Sequence, residues 1–228
     1  MSNTRKQSID TRRLVGIAVF SALAFVVALV CQIIPPIAGF LSLDFKDAVI
    51  AMASFIYGPI SAVIIALIAV LIEFITITIN TTGWYGFVMN FISSAVFSLT
   101  ASLIYRKFKS LNGALVSFVS AVVATTSVML LLNIFVTPLY MAQIGVPLDR
   151  GGVIAMIPKV LLPFNLSKAL LNSAIAMILY KPVSTAMRRI GFASGDRRKM
   201  EFNRASVVIL AVGAVFIAAA VAMLLIIA

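Results

Sequence analysis

Long apolar runs constrain this chain more than any other feature. The last, 205–228, carries no charged residue in 24 positions. At about 1.5 Å per residue a helix of that length crosses the roughly 30 Å hydrocarbon layer of a bilayer. Comparable runs lie at about 14–34, 60–79, 84–105, 114–137 and 157–181, with a shorter one at 48–57. They are rich in Leu, Ile, Val, Ala and Phe and show no sustained period-two alternation. A bilayer leaves no backbone group to water, so runs of this kind predict helices rather than a barrel. The overall apolar content of 62% and mean hydropathy of +1.14 fit an integral membrane protein. The first run is followed by many others and lacks a convincing cleavage site, so it reads as a span and not a signal peptide.

Breakers and charges organise the runs. Pro35-Pro36 and Gly39 end the first, Gly58-Pro59 marks a tight turn after the short second, and Asn80-Thr-Thr-Gly83 and Asn112-Gly113 are further turns. Pro138 is expected to close the fifth run, leaving a connector from Leu139 to Lys159, and Pro163 to open the sixth helix. The chain then divides into a basic N-terminus (1–13), a membrane domain (14–181), a basic segment (182–204) and an additional C-terminal span (205–228). Fourteen of the 18 Lys and Arg residues fall at the N-terminus, at 106–109 and at 181–204. The positive-inside rule therefore predicts a cytoplasmic N-terminus, outward-facing connectors at 35–47, 80–84 and 139–160, and an outer C-terminus. The same clustering beside spans accounts for the net charge of +11 without nucleic acid, and 181–204 reads as an inner face near anionic lipid.

Several chemistries are excluded. Histidine is absent, which removes His-based zinc motifs and Ser-His-Asp triads. No Gly-x-x-x-x-Gly-Lys-Ser/Thr loop is present, so the chain is not expected to hydrolyse ATP by itself. The single Cys31 forms neither an internal disulfide nor a metal cluster, and reads as packing.

Polar side chains inside the apolar runs are the functional signal. Asn165, Lys168 and Asn172 follow at spacings of three and four and share one helix face. A lysine at mid-membrane costs roughly 2.5–3.5 kcal/mol on insertion scales, so Lys168 is a site candidate by default. Snorkelling to the surface is the alternative. Asn133 near the outer end of the fifth run, Asn90 in the fourth, and Asp44 with Asp47 in the first connector lie on the same side. Amides and an ammonium suit a flat, heteroatom-rich molecule, with Phe45, Trp84, Tyr85 and Phe164 available for stacking. Interhelical glue is the rival role for each asparagine. Glu73 is left undecided between an ion pair with Lys168, a proton site and solvation near its helix end. Ala18/Ala22 and Ala24/Ala28 suit close helix contact, as do Ala62/Ala66 and Ala214/Ala218.

An ordered set of motifs now resembles a known family. Leu41-Ser-Leu-Asp-Phe-Lys-Asp47, Tyr57-Gly-Pro59, Gly86-Phe-Val-Met-Asn-Phe91, Asn133 followed by Pro138-Leu-Tyr140, and Leu162-Pro-Phe-Asn-Leu-Ser-Lys168 are similar to those of the riboflavin-binding S components of energy-coupling factor (ECF) transporters. The likeness covers about 12–185, and the Leu-Pro-Phe-Asn-x-x-Lys motif is its most specific part. It implies an all-α bundle of six spans with a short second helix in a bacterial cell membrane. It implies capture of riboflavin, with FMN as a second candidate, from outside, in a pocket closed by the first connector that carries Leu43. Asn133, Asn165 and Lys168 would then bond the flavin, and the ligand is cargo rather than a cofactor. Ala18 and Ala22 would dock on a transmembrane coupling subunit, with two cytoplasmic ATPase subunits supplying energy. The 205–228 span departs from the pattern.

Two other classes stay open on the residues alone. One is a stand-alone secondary transporter using Glu73 or Lys168 as a proton site. The other is a lipid-acting membrane enzyme, for which Asp44 and Asp47 are thin support. Another vitamin remains an alternative cargo.

Overall fold

A computed structural model describes residues 11–108, 111–189 and 204–227. The expected basic N-terminus up to residue 10, Lys109, and most of the basic segment before Arg204 lie outside the described residues.

Helix α1 (Thr11–Cys31) ends before Pro35-Pro36. Its Gly16, Ile17, Phe20, Ser21, Ala24, Ala28 and Cys31 form one buried stripe. The two small-residue pairs of this helix therefore part company: Ala24 and Ala28 face the bundle, whereas Ala18 and Ala22 are exposed. Helix α2 (Lys46–Tyr57) has 12 residues, about 18 Å at 1.5 Å per residue, too short to cross. Every residue from Lys46 to Ser54 is buried, and α2 touches α1, α3, α4 and α7. A helix apolar on all sides belongs in a core, and α2 is the pillar of this one. Gly58 follows with φ +93°, a backbone region that a side chain would strain, and Pro59 opens α3 (Pro59–Thr76).

A single 3-10 turn, Thr78–Asn80, leads to α4 (Gly83–Lys107), and α5 spans Leu111–Gln143. Pro138 does not close α5; it sits inside it. Membrane helices accommodate such prolines because neighbouring groups satisfy the freed carbonyl. The next helix also starts earlier than Pro163. Asp149 Oδ1 accepts from the Gly152 N–H at 2.8 Å and caps α6 (Arg150–Met156). A π turn, Ile157–Leu161, joins α6 directly to α7 (Leu162–Arg189). Pro158 lies within this wide turn and Pro163 just after it, and neither can donate into a regular ladder. The expected long connector thus shrinks to the stretch between Gln143 and Arg150. Helix α7 continues through Pro182.

Helix α8 (Arg204–Ile227) packs along α7, with Gly213 against Ile178. Among the described residues, six helical stretches are long and apolar enough to cross a membrane: α1, α3, α4, α5, α6–α7 and α8. With α2 inserted, this is the expected bundle with a short second helix and an additional C-terminal helix. The protein is a multi-pass membrane protein. Two apolar clusters hold it. One surrounds α2; the other packs the connector residues Leu41 and Leu43 against Val153, Leu161, Phe164, Leu171 and Ala220.

Candidate functional site

The polar residues collect at one end of the bundle. At the other end, Arg13 of α1 donates to Ser61 Oγ of α3 from Nε (3.2 Å) and Nη2 (2.7 Å). Near the first end lies a concave cavity, part of it open to the outside, in the kind of position between helices that small-molecule sites occupy. Its walls are helical stripes. Helix α4 presents Tyr85, Gly86, Met89, Asn90 and Ser93; α5 presents Met129, Asn133, Thr137 and Tyr140; α7 presents Phe164, Asn165 and Lys168. Phe40, Leu41 and Ser42 of the first connector, together with Thr82, complete it.

Six of the ten residues expected to touch a ligand line this cavity: Asn133, Asn165, Lys168, Asn90, Tyr85 and Phe164. Four do not. Trp84 lies on the outside of α4, 67% exposed, its ring packed 4.5 Å from that of Phe74. Leu43 is buried in the apolar cluster with Leu161 and Phe164, and Phe45 packs against the same cluster. Asp44 is buried, and its carboxylate is occupied by two lysines. The remaining lining residues went unnamed as ligand contacts, although spacing carried a signal. Met129, Thr137 and Tyr140 follow the helical rows of Asn133, Gly86 and Ser93 those of Asn90, and Met89 lies four residues from both Tyr85 and Ser93.

Lys168 does not snorkel. Its Nζ lies 2.7 Å from Asp44 Oδ2, and the side chain is 12% exposed. An ammonium has three donors, so Lys168 keeps capacity toward the cavity it lines. Lys46, counted by sequence among the outward charges, is instead buried. Its Nζ bridges Asp44 Oδ2 at 3.1 Å and Glu73 Oε2 at 3.0 Å. Glu73 therefore pairs with Lys46 and not with Lys168, and its Oε1 accepts from Asn90 Nδ2 at 3.3 Å. Burial works against the charge on Asp44; the Lys168 and Lys46 ammoniums outweigh it and hold the carboxyl well below its usual range. Asp47 accepts a hydrogen bond from Ser94 Oγ.

Asn172 is the joint of the site. Its Nδ2 donates to the carbonyls of Asp44 and Lys168, both at 3.0 Å, and its Oδ1 accepts from the Ala48 N–H at 2.8 Å. Helix α2 has no side-chain cap of its own, so a residue of α7 caps it across the bundle. Sequence placed Asn172 on the polar face with Asn165 and Lys168; the structure turns it to the connector. Asn133 donates to Met129 O at 2.7 Å and accepts from Thr137 Oγ1 at 2.8 Å, while Asn165 donates to Leu161 O at 2.8 Å. By donor count each amide retains a second N–H.

Apolar spanning helices around a partly open cavity floored by amides and an ammonium define a membrane protein that binds a small polar-edged molecule. The comparisons narrow the class. The family model described as "ECF transporter, substrate-specific component" matches residues 12–180, and the chain belongs to that family. It is 30% identical over 192 residues to the riboflavin transporter RibU of Staphylococcus aureus, covering 83% of this chain and all of that one. The riboflavin transporter FmnP of Bacillus subtilis is 26% identical over 171 residues, 74% of this chain and 90% of its own. A solved S component of a bacterial ECF transporter superposes with a TM-score of 0.64 at 29% identity, covering 78% of this chain and 99% of that chain.

Proposed function

We propose that this protein is the substrate-capturing subunit of a riboflavin uptake system. Asn133, Asn165 and Lys168 meeting in one cavity is the observation that carries the reading. The amides and the ammonium suit the alternating donors and acceptors of the isoalloxazine edge and ribityl chain. Tyr85, Tyr140 and Phe164 supply ring contacts. Riboflavin suits the cavity better than FMN. Lys168 is the one cation among its described lining residues, and Asp44 already neutralises it, so a phosphate would lack a counter-charge. The connector 40–42 forms part of the wall and is the natural lid.

The clustering of Lys and Arg at the basic ends supports an N-terminus in the cytoplasm of a bacterial cell, with the cavity facing outside. The exposed Ala18 and Ala22 of α1 are the docking face for a transmembrane coupling subunit, which two cytoplasmic ATPase subunits would drive. Purified protein is expected to be yellow or to quench flavin fluorescence at submicromolar concentration. Lys168→Ala weakens binding by leaving ligand acceptors unpaired in a dry site. Flavin binding unchanged by Lys168→Ala and Asn165→Ala together would overturn the assignment of this cavity. Binding of thiamine or biotin in place of flavin would replace the cargo but keep the class.

A further inference from the structure

The ion pairs behind the cavity form one continuous chain whose two ends are both cavity-lining groups. It begins at Lys168 of α7, passes through Asp44 (2.7 Å), Lys46 (3.1 Å) and Glu73 (3.0 Å), and ends at Asn90 of α4 (3.3 Å). Lys46 is 1% exposed and Glu73 4%, and neither lines the cavity. We propose that Glu73, held by Lys46, is a positioning residue that fixes the hydrogen-bond polarity of Asn90 toward the ligand.

Donor chemistry dictates the direction. A carboxylate only accepts, so Asn90 must turn its NH2 group to Glu73. The Asn90 carbonyl oxygen is then the group left for the cavity, an acceptor. At the far end of the chain an ammonium only donates, so Lys168 faces the cavity as a donor. One buried chain therefore fixes an acceptor on the α4 wall and a donor on the α7 wall. The ligand it selects carries a donor, an imide N–H or a hydroxyl, toward Asn90 and an acceptor toward Lys168. This rests on the reading of the cavity as the vitamin site, and riboflavin carries both kinds of group. An asparagine without Glu73 can present either end, and the NH2 end rejects such a ligand.

Glu73→Gln inverts the arrangement with almost no change of shape. Lys46 offers donors only, so the glutamine turns its oxygen to Lys46 and its NH2 to Asn90. Asn90 then rotates and presents NH2 to the cavity, donor against donor. The experiment is a double-mutant cycle on riboflavin binding, read by flavin fluorescence quenching with the full chain in detergent. Asn90→Ala and Glu73→Gln are each expected to raise Kd at least tenfold, and Glu73→Gln in the Asn90→Ala background to add less than threefold. Lys46→Met with Glu73→Gln removes the buried pair as a neutral unit, so the question survives a folding failure of the single variant. That pair is expected to raise Kd at least threefold, again only while Asn90 is present. A Glu73→Gln protein within twofold of the parent, or losses that simply multiply with Asn90→Ala, overturns the positioning role, because a purely structural Glu73 acts regardless of residue 90. A parent protein that binds no riboflavin overturns the reading of the cavity itself, and is measured first.

Discussion

Replacing Asn172 with Leu separates holding the connector from binding the ligand. The residue is fully buried and its amide makes three hydrogen bonds, at 2.8, 3.0 and 3.0 Å. The Lys168 carbonyl is already inside the α7 ladder and loses little. The Ala48 N–H keeps a second, longer bond to the Phe45 carbonyl at 3.3 Å, so the Asp44 carbonyl is the group left without a partner where the connector enters α2. Each buried backbone group left unpaired costs about 1–3 kcal/mol. With one such group the cost is about 1–3 kcal/mol, and for a chain of this size each kcal/mol lowers Tm by roughly 2–4 °C. Asn172→Leu is therefore expected to melt at least about 2 °C below the parent in detergent, followed by near-UV circular dichroism. The control is Asn165→Ala. That amide bonds back to Leu161 of its own helix, so its loss is expected to weaken flavin binding and leave Tm nearly unchanged. Limited proteolysis is expected to cut Asn172→Leu between residues 32 and 45 faster than the parent. A Tm within a degree of the parent and an unchanged cleavage rate would refute the reasoning, and the capping of α2 by α7 with it.

Three further outcomes follow from the packing. A methyl group added at Gly16 meets the ring of Tyr57, 2.5 Å from Cζ, and Gly16→Ala is expected to cost about 1–3 kcal/mol by thermal melt. Tyr57→Phe alone should be neutral or stabilising, because the buried hydroxyl has no partner, and should partly rescue Gly16→Ala; absence of rescue places the strain elsewhere. Removing 205–228 exposes α7 and the cluster around Leu43, so Tm should fall, yet among the described residues none of α8 lines the cavity and Kd for flavin should stay within threefold at temperatures below the new Tm; lost binding by a still-folded truncation contradicts this. Because Asp44 titrates below its usual value of about 3.9, its ion pairs stabilise the fold above that pH and are lost only as pH falls through the lowered value. Tm and binding should thus be level from about pH 5 to 8, and a transition inside that window that Asp44→Asn removes would count against these ion pairs.

The lysine at 168 shows both how far sequence reading reached and where it stopped. Its depth in an apolar run marked it as a site residue, and its spacing from Asn165 marked the face. That Asp44, 124 residues away, would be its partner carried no local signal. The burial of Lys46 had no local signal for the same reason: a lysine beside two aspartates in a connector is covered only once the bundle closes over it. Pro138 and Pro163 misled in a different way. A proline removes one donor, and whether that ends a helix depends on which neighbours cover the freed carbonyl.

Sequence alone determined what acts along one segment: which runs are membrane helices, that the second is short, which end gathers the amides, and that no histidine is present. Runs of one period and a solvent with no hydrogen bonds leave little else possible. Tertiary structure decided what acts between segments. It turned Asn172 to the connector, Trp84 to the outside, and Glu73 to Lys46 rather than Lys168. Hydrogen bonds and ion pairs are short-ranged and directional, so their partners exist only once seven helices have taken their places.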